Sequence, residues 1–374
     1  MKKIFVDIYL QFNLGDDLFL DILANKFPNC EFTVNYLGNN YDEFLSHYHN
    51  VNRRKYTLLN KIGQRLKLSD SITNYDKVAE EHDALLFIGG SIFREEEEYH
   101  HSLYKDRMRL VSEFKNRDKA VFILGANFGP VKSEAFLKDY KEFFKLCDDV
   151  CFRDLYSYNL FNSLPQVRYA PDIVFQMDVD KYKQISNKKR VGFSIIDVTH
   201  KQGLSIYQND YINSTVKSIK SFVSNGYECC LMSFCEQEGD VKVINEIKAN
   251  LSSETLKKVF VYEYRGNLKE AITLIASFSV FIAARFHANI LAILLGVGIM
   301  PVIYSEKTTN MLRDMDMNEV LIDMKSLHLQ FDEEIIKKSI DNKISLESTK
   351  LNSEQQFKKL SEFLNNQEIY RGII

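Results

Sequence analysis

Short apolar runs alternate along the chain with stretches whose apolar positions recur every three or four residues. The first half carries strand-like runs at KKIFVDIY (2–9), EFTVNYL (31–37), ALLFIGG (84–90), AVFILGA (120–126) and DVCFRD (149–154). The second half carries RVGFSII (190–196), ECCLMSF (228–234), KVFVYEY (258–264), VFIAA (280–284) and MPVIYS (300–305). Helical periodicity lies between them at 17–27, 134–146, 210–225, 240–251, 267–277 and 287–295, and again in a tail at 352–366. Strands separated by helices of this length predict parallel sheets with right-handed crossovers. Two such series predict an α/β protein of two Rossmann-like domains facing a cleft, closed by a C-terminal helix. The expected boundaries are 1–180, 190–345 and 346–374, with the polar run QMDVDKYKQISNKKR (176–190) as the linker.

Open parallel sheets bind ligands beyond the carboxyl ends of their strands, so the polar residues just after each strand are the candidates for chemistry. After the first strand, Gly15 permits a tight turn and Asp16 or Asp17 opens a helix, one of them as its N-cap. The glycine-rich dinucleotide fingerprint is absent there. Gly89 and Gly90 end the next apolar run, where paired glycines allow close approach of a ligand or another backbone. Gly125, Asn127, Gly129 and Pro130 repeat the arrangement, with Asn127 able to donate to an anion or a sugar hydroxyl or simply to hold the loop. Arg153 follows a buried strand, and its planar fork suits phosphate or carboxylate. A pair with Asp154 or a bridge between domains is its structural alternative. Asp154 is placed to cap a helix containing Ser157, and Asp172 reads as structural.

The strongest pattern is ARFHANILAILLGVGIMPVIYSEK (284–307). VFIAA is a strand and HANILAILL a helix stopped by Gly296, which puts Arg285 and His287 at the turn between them. Residues two apart share a side in extended backbone and diverge on a helix, so the two side chains converge only at this position. A helix start also offers free N–H groups and the positive end of the dipole. Arg285, His287 and those amides therefore predict an anion site with one titratable group, to which Lys307 adds a cation after the next strand; a histidine that caps or packs at the helix end, and a Lys307–Glu306 salt bridge, are the structural alternatives.

Composition narrows the rest. The chain has 374 residues, 45% hydrophobic and 26% charged, which predicts more than one globular domain. Lys+Arg is 48 against Asp+Glu 51, a balance that gives no reason to expect nucleic acid. The apolar run at the start is interrupted by Asp7, and no stretch reaches the roughly 18 apolar residues of a membrane span. The six cysteines, Cys30, Cys147, Cys151, Cys229, Cys230 and Cys235, form no Cys-x-x-Cys pair. They predict reduced thiols in a cytoplasmic protein and no metal site. One local patch stands out, NRRKYTLLNKIGQRLK (52–67), whose spacing predicts a basic amphipathic helix. Such a helix rests on an anionic membrane surface, borders an anionic substrate, or packs on its own domain.

The series NLGDDLFLDIL, IGGSIF, GANFGP, CFRDLYSYNLF, APDIVF and ARFHANILAILLGVGIMPVIYSEKTTNML, in this order, resembles the polysaccharide pyruvyl transferase family over roughly residues 9 to 317. The chain departs from the family pattern in GGS, where a third glycine is usual, and at Phe286, where leucine is usual. The resemblance implies a GT-B-like fold and transfer of pyruvate from phosphoenolpyruvate to a sugar as a ketal. The donor is a co-substrate, and no cofactor is implied. The acceptor is a bacterial cell-surface glycan or its precursor, often lipid-linked, which places the enzyme in the cytoplasm at the inner membrane face. Arg153, Arg285 and Lys307 would then hold phosphoenolpyruvate, with Gly15, Gly90 and Asn127 as further binding positions. His287 would be the acid–base residue, and Asp16 a base or an acceptor-orienting group. A GT-B glycosyltransferase using a nucleotide sugar is the alternative, and a non-catalytic glycan-binding protein of the same fold the third reading. The loop DVTHKQGLSIYQND (197–210) carries no assignment.

Overall fold

The computed structural model describes residues 1–55, 74–95, 100–182, 189–201, 203–315, 317, 321–329, 338–342 and 346–365. Its contacts divide the chain into two compact units. Met1–Leu10, Phe19–Ile173 and Leu351–Ile374 form the first, and Gln11–Leu18 with Val174–Lys350 the second. The contiguous division expected from the pattern differs in three places. Gln11–Leu18 groups with the second unit although it directly follows the first strand, Val174–Asp180 also group with the second unit, and the tail from Leu351 belongs to the first unit.

Among the described residues the first unit has seven strands: β1 (Lys2–Asp7), β2 (Cys30–Val34), β3 (Val51–Arg53), β4 (Ala84–Ile88), β5 (Ala120–Ala126), β6 (Asp149–Phe152) and β7 (Val167–Tyr169). They are parallel, in the order β3-β2-β1-β4-β5-β6-β7. Helices α1 (Leu14–Lys26), α2 (Tyr75–Glu81), α3 (His100–Lys115), α4 (Glu134–Lys145) and α5 (Leu155–Phe161) alternate with them. β4 is buried at every residue, as a strand covered on both faces must be. The abundant phenylalanine of this chain is core material here. Phe87, Phe93, Phe128, Phe136, Phe143, Phe144 and Phe161 pack with Tyr140 in one cluster, with rings as close as 4.8 Å. Each such side chain contributes about 1.5–3 kcal/mol on burial.

Among the described residues the second unit has six parallel strands, β8 (Arg190–Ile195), β9 (Glu228–Ser233), β10 (Val259–Glu263), β11 (Val280–Ala283), β12 (Gly298–Ile303) and β13 (Ile322–Asp323), in the order β10-β9-β8-β11-β12-β13. Its helices include α6 (Gln208–Ser224), α7 (Asp240–Ala249), α8 (Leu268–Ala276), α9 (Phe286–Leu295) and α10 (Glu306–Asp314). Its core is mainly aliphatic, built on Val191, Ile195, Ile219, Leu231, Ile244 and Ile282. In each sheet the strand order reverses once, between β1 and β4 and between β8 and β11. Helices leave the sheet in opposite directions at such a point, and the loops part to leave a crevice at the carboxyl ends.

The ten strands expected from the pattern are all present, their ends shifted by up to three residues. β3, β7 and β13, each an edge strand of two or three residues, were not expected. The basic stretch at 52–67 is corrected at its start. Asn52 and Arg53 lie in β3 rather than a helix; Arg53 pairs with Asp42 (3.0 Å), and Arg54 donates to Asn35 Oδ1 (2.6 Å). Residues 56–67, most of the acidic run at 95–98 and residues 183–188 of the expected linker lie outside the described residues. All six cysteines are unpaired and buried. Among the described residues no helix is long and apolar enough to cross a membrane.

The tail is fastened by a buried carboxamide. Gln356 accepts from Gly125 N (2.9 Å) and donates to Ala170 O (2.7 Å) and Phe152 O (3.4 Å). Gln356→Ala strands these backbone groups and is expected to destabilise the protein by about 2–4 kcal/mol. Urea unfolding checks it; an unchanged midpoint contradicts the role of this residue.

Candidate functional site

At the carboxyl edge of the second unit's sheet, four chain segments meet around one guanidinium. β11 ends at Ala283, and the amides of Ala284 and Arg285 both donate to Ser194 Oγ on β8 (2.8 and 3.1 Å). This holds Arg285 extended as the N-cap of α9, with Phe286 and His287 in the first turn and Gly296 ending the helix in the left-handed conformation (φ 67°). The turn is where the sequence places Arg285 and His287. The Asn289 side chain reinforces it from below by donating to Arg285 O (2.9 Å) and Ala283 O (3.2 Å).

Arg285 is buried, and its two terminal nitrogens are ion-paired with Glu238 and Asp240. Burial opposes its charge, but the two carboxylates outweigh that and hold it protonated well above its ordinary range. Asp240 is fully buried at the start of α7, and its other oxygen accepts from the amides of Phe234 and Cys235 (2.9 and 3.0 Å). Glu238 sits on a three-residue turn, its side chain 30% exposed, and also accepts from Asn13 Nδ2 (3.0 Å). Burial pushes its carboxyl up. Arg285, by charge and hydrogen bond, together with Lys201 and Lys307, more than reverses this and holds it at about 2. Asn13 and Arg285 thus bond to a single carboxylate, whose charge Lys201 and Lys307 also stabilise electrostatically.

The segment Gln11–Leu18 builds the other wall. Asn13, not an aspartate, caps α1: its Oδ1 accepts from Gly15 N (3.0 Å) while its amide reaches Glu238. Asp17 is fully buried and accepts from Tyr264 OH (2.7 Å), so its role is to dock the helix start. Asp16 is half-buried in the same turn. A Cβ at Gly15 would lie 1.8 Å from His287 Nδ1, so this glycine makes room for the imidazole. His287 is half-buried and stands edge-on to Phe286, 5.2 Å between ring centroids. Lys307, in the first turn of α10, lies 5.7 Å from the same Phe286 ring.

Gly90, Asn127 and Arg153 come together in the first unit, and there the structure differs from expectation. Arg153 does not present an open fork to an anion. Its side chain is 2% exposed, paired with Asp172 (2.8 Å) and donating to Asn127 Oδ1 (2.6 Å), which also accepts from Ser91 Oγ (3.1 Å). A Cβ at Gly90 would lie 2.6 Å from the guanidinium, so this glycine makes space for Arg153 rather than for a ligand. Asp154 caps α5 through Ser157 N (2.7 Å), as its position predicts. Arg285, likewise expected to clasp an anion, is occupied by carboxylates.

The sequence did not point to Asn13, Lys201, Glu238 and Asp240. Lys201 comes from the loop at 197–210, where its ammonium lies 5.5 Å from the Tyr304 ring. The signal available for Glu238 and Asp240 was EGD in the loop after β9, with four residues between it and the end of the strand.

Two parallel-sheet α/β units with their polar groups at the strand ends define a GT-B-like protein. The chain belongs to the polysaccharide pyruvyl transferase family, whose model matches residues 13–306. Among curated protein sequences none matches the chain. Anabaena HepE, solved with UDP and glucose, is similar over 98% of this chain and 100% of that one, with a TM-score of 0.60 and 13% identity. The UDP-GlcNAc 2-epimerase of Neisseria meningitidis, solved with UDP-GlcNAc, is similar over 97% and 99%, at 0.62 and 11%. S. aureus MnaA, solved with UDP, is similar over 98% and 97%, at 0.61 and 11%. At such identities the likeness is one of fold.

The depressed pKa of Glu238 has a direct consequence. A carboxyl held below its ordinary value stabilises the fold above that value and ceases to as pH falls through the depressed one. Wild type should therefore lose stability between about pH 5 and pH 2 more steeply than Glu238→Gln, which is less stable at neutral pH. Thermal unfolding across that range checks it; parallel curves contradict the assignment.

Proposed function

We propose that this protein transfers the pyruvyl group of phosphoenolpyruvate onto two hydroxyls of a sugar in a cell-surface polysaccharide precursor, free or lipid-linked, as a ketal. The observation that carries the reading is the Glu238 carboxylate held in the field of Lys201 and Lys307 by Arg285 and by Asn13, the latter on the same turn whose Gly15 packs against His287. It is a cradle with the chemistry to hold a carboxylate, next to a group able to move a proton. Phosphoenolpyruvate carries a carboxylate and a phosphate. In the proposed complex its carboxylate takes the place of Glu238, the more exposed of the two carboxylates on Arg285. With Glu238 turned outward, Arg285 keeps Asp240 as a partner and offers its other terminal nitrogen to the substrate's negative charge, with Lys201 and Lys307 adding positive charge.

The reaction then balances as follows. His287 delivers a proton to C3, and one sugar hydroxyl attacks C2. The C2–O bond to phosphate breaks, and the second hydroxyl closes the ketal. Of the two hydroxyl protons, one replaces the proton given by His287 and the other leaves with phosphate. Asp16, next to Gly15 on the turn that packs against His287, orients the acceptor or takes the second proton. Arg153 and Asp172 have no direct role in this scheme; they fix the strand-end loops of the first unit.

A positioned acid–base residue contributes about 10²–10⁴-fold to such a step. Phosphate release from phosphoenolpyruvate, followed with a panel of sugar acceptors, is therefore expected to fall at least about 100-fold in His287→Ala. Turnover of that variant near the wild-type rate would contradict the acid–base role.

A further inference from the structure

Arg285 holds two carboxylates, and they are built into the protein differently. Asp240 is fully buried at the start of α7, and its second oxygen is bonded to the amides of Phe234 and Cys235. It is part of the framework. Glu238 stands on the single turn Glu236–Glu238, its side chain 30% exposed. Among the described residues its carboxylate is bonded only by side chains: one oxygen accepts from Asn13 Nδ2 (3.0 Å), the other from Arg285. Gly239, left-handed at φ 88°, separates the two acids and gives the turn a pivot that leaves Asp240 in place.

A carboxylate held by both oxygens, open at one edge and attached through a pivot, has the geometry of a bound ligand. Any other carboxylate that is to reach Arg285 and Asn13 must first displace it. The competitor is tethered, so its effective concentration exceeds that of a dissolved ligand. Burial pushes the Glu238 carboxyl up, but Arg285, Lys201 and Lys307 outweigh it and hold it at about 2, so no pH near neutrality lifts the contact.

We propose that Glu238 is an internal stand-in for the substrate carboxylate: it closes the empty site and excludes ligands whose only anionic group is a carboxylate. Every carboxylate ligand meets the same cost of turning Glu238 out. Pyruvate has no second anionic group with which to offset that cost. Phosphoenolpyruvate has its phosphate, which the ammonium groups of Lys201 and Lys307 attract. Inorganic phosphate meets the same ammonium groups without needing the place of Glu238. This deepens the phosphoenolpyruvate reading and rests on it for the identity of the substrate, whereas the displacement itself is read with pyruvate.

Two simpler roles make other forecasts. A Glu238 that only braces Arg285 would leave every anion bound more weakly once it is removed. A Glu238 that acts only as a nearby negative charge would, once removed, strengthen carboxylates and phosphate alike. Glu236 is the control for charge, since it lies on the same turn, 52% exposed, with Arg265 at 3.6 Å.

The test is calorimetric titration of the full chain with pyruvate, phosphoenolpyruvate and inorganic phosphate, with thermal unfolding on the same preparations. Wild type, Glu238→Gln, Glu238→Ala and Glu236→Gln are compared. The glutamine keeps the size of the side chain and an acceptor for Arg285, and the alanine clears the cradle. Wild type is expected to ignore pyruvate. Glu238→Gln or Glu238→Ala is expected to bind it, and to bind phosphoenolpyruvate about tenfold or more tightly than wild type despite a lower melting temperature. Phosphate should gain less than the carboxylates, and Glu236→Gln should match wild type. Pyruvate binding no stronger in either Glu238 variant than in wild type, an equal gain for phosphate, or the same gain in Glu236→Gln would each overturn the proposal. Overturned in that way while wild type binds phosphoenolpyruvate, it would leave the donor reading intact. Pyruvate binding gained by the variants, with every protein silent to phosphoenolpyruvate, would support the stand-in and sink the donor reading alone.

Discussion

A guanidinium cannot be carried into the base of a protein crevice without carboxylates to meet it, and Arg285 has two. Removing one partner of such a buried group costs about 3–5 kcal/mol, because the other charge is left without compensation. The bonds of those partners therefore organise the surrounding chain. Asp240 holds the backbone at the end of β9, Glu238 reaches Asn13 at the start of α1, and Ser194 fixes the peptide that carries Arg285 out of β11. His287 stands where it does because α9 starts at Arg285, and the lack of a side chain at Gly15 leaves room for its ring.

This arrangement also explains why the site was only partly legible in the sequence. The strand-to-helix turn at Arg285 and His287 could be read because an apolar run, a polar pair and a helix stopped by glycine follow one another directly. The carboxylates that neutralise Arg285 lie 45 and 47 residues away along the chain, and only the parallel pairing of β8, β9 and β11 brings them to the same edge. Arg153 and Asp172 show the same limit at shorter range: a cation at a strand end was visible, its buried partner was not. The glycines were legible as places of close approach. What approaches Gly15 and Gly90 is a side chain of the protein itself.

The fold was more legible than the site, for a physical reason. Central parallel strands are buried on both faces and write long apolar runs, which is why β4, β5 and β8 were readable. Edge strands such as β3, β7 and β13 pair on one side and run for two or three residues, too few to carry a period. α3 was missed because its long charged side chains obscure the few residues it buries, Leu110, Val111 and Phe114 among them.

Fold and family therefore divide the argument. The GT-B-like fold is shared with proteins that bind UDP and with others of different chemistry, so it does not select a ligand. The proposed function rests instead on the cradle around Glu238, whose donors suit a carboxylate. Calorimetric titration of wild type and Lys307→Ala with phosphoenolpyruvate, and separately with UDP-sugars, tests this most directly. The account predicts binding of phosphoenolpyruvate by wild type, weakened in Lys307→Ala, and none of UDP-sugars; binding of a UDP-sugar without any binding of phosphoenolpyruvate would contradict it.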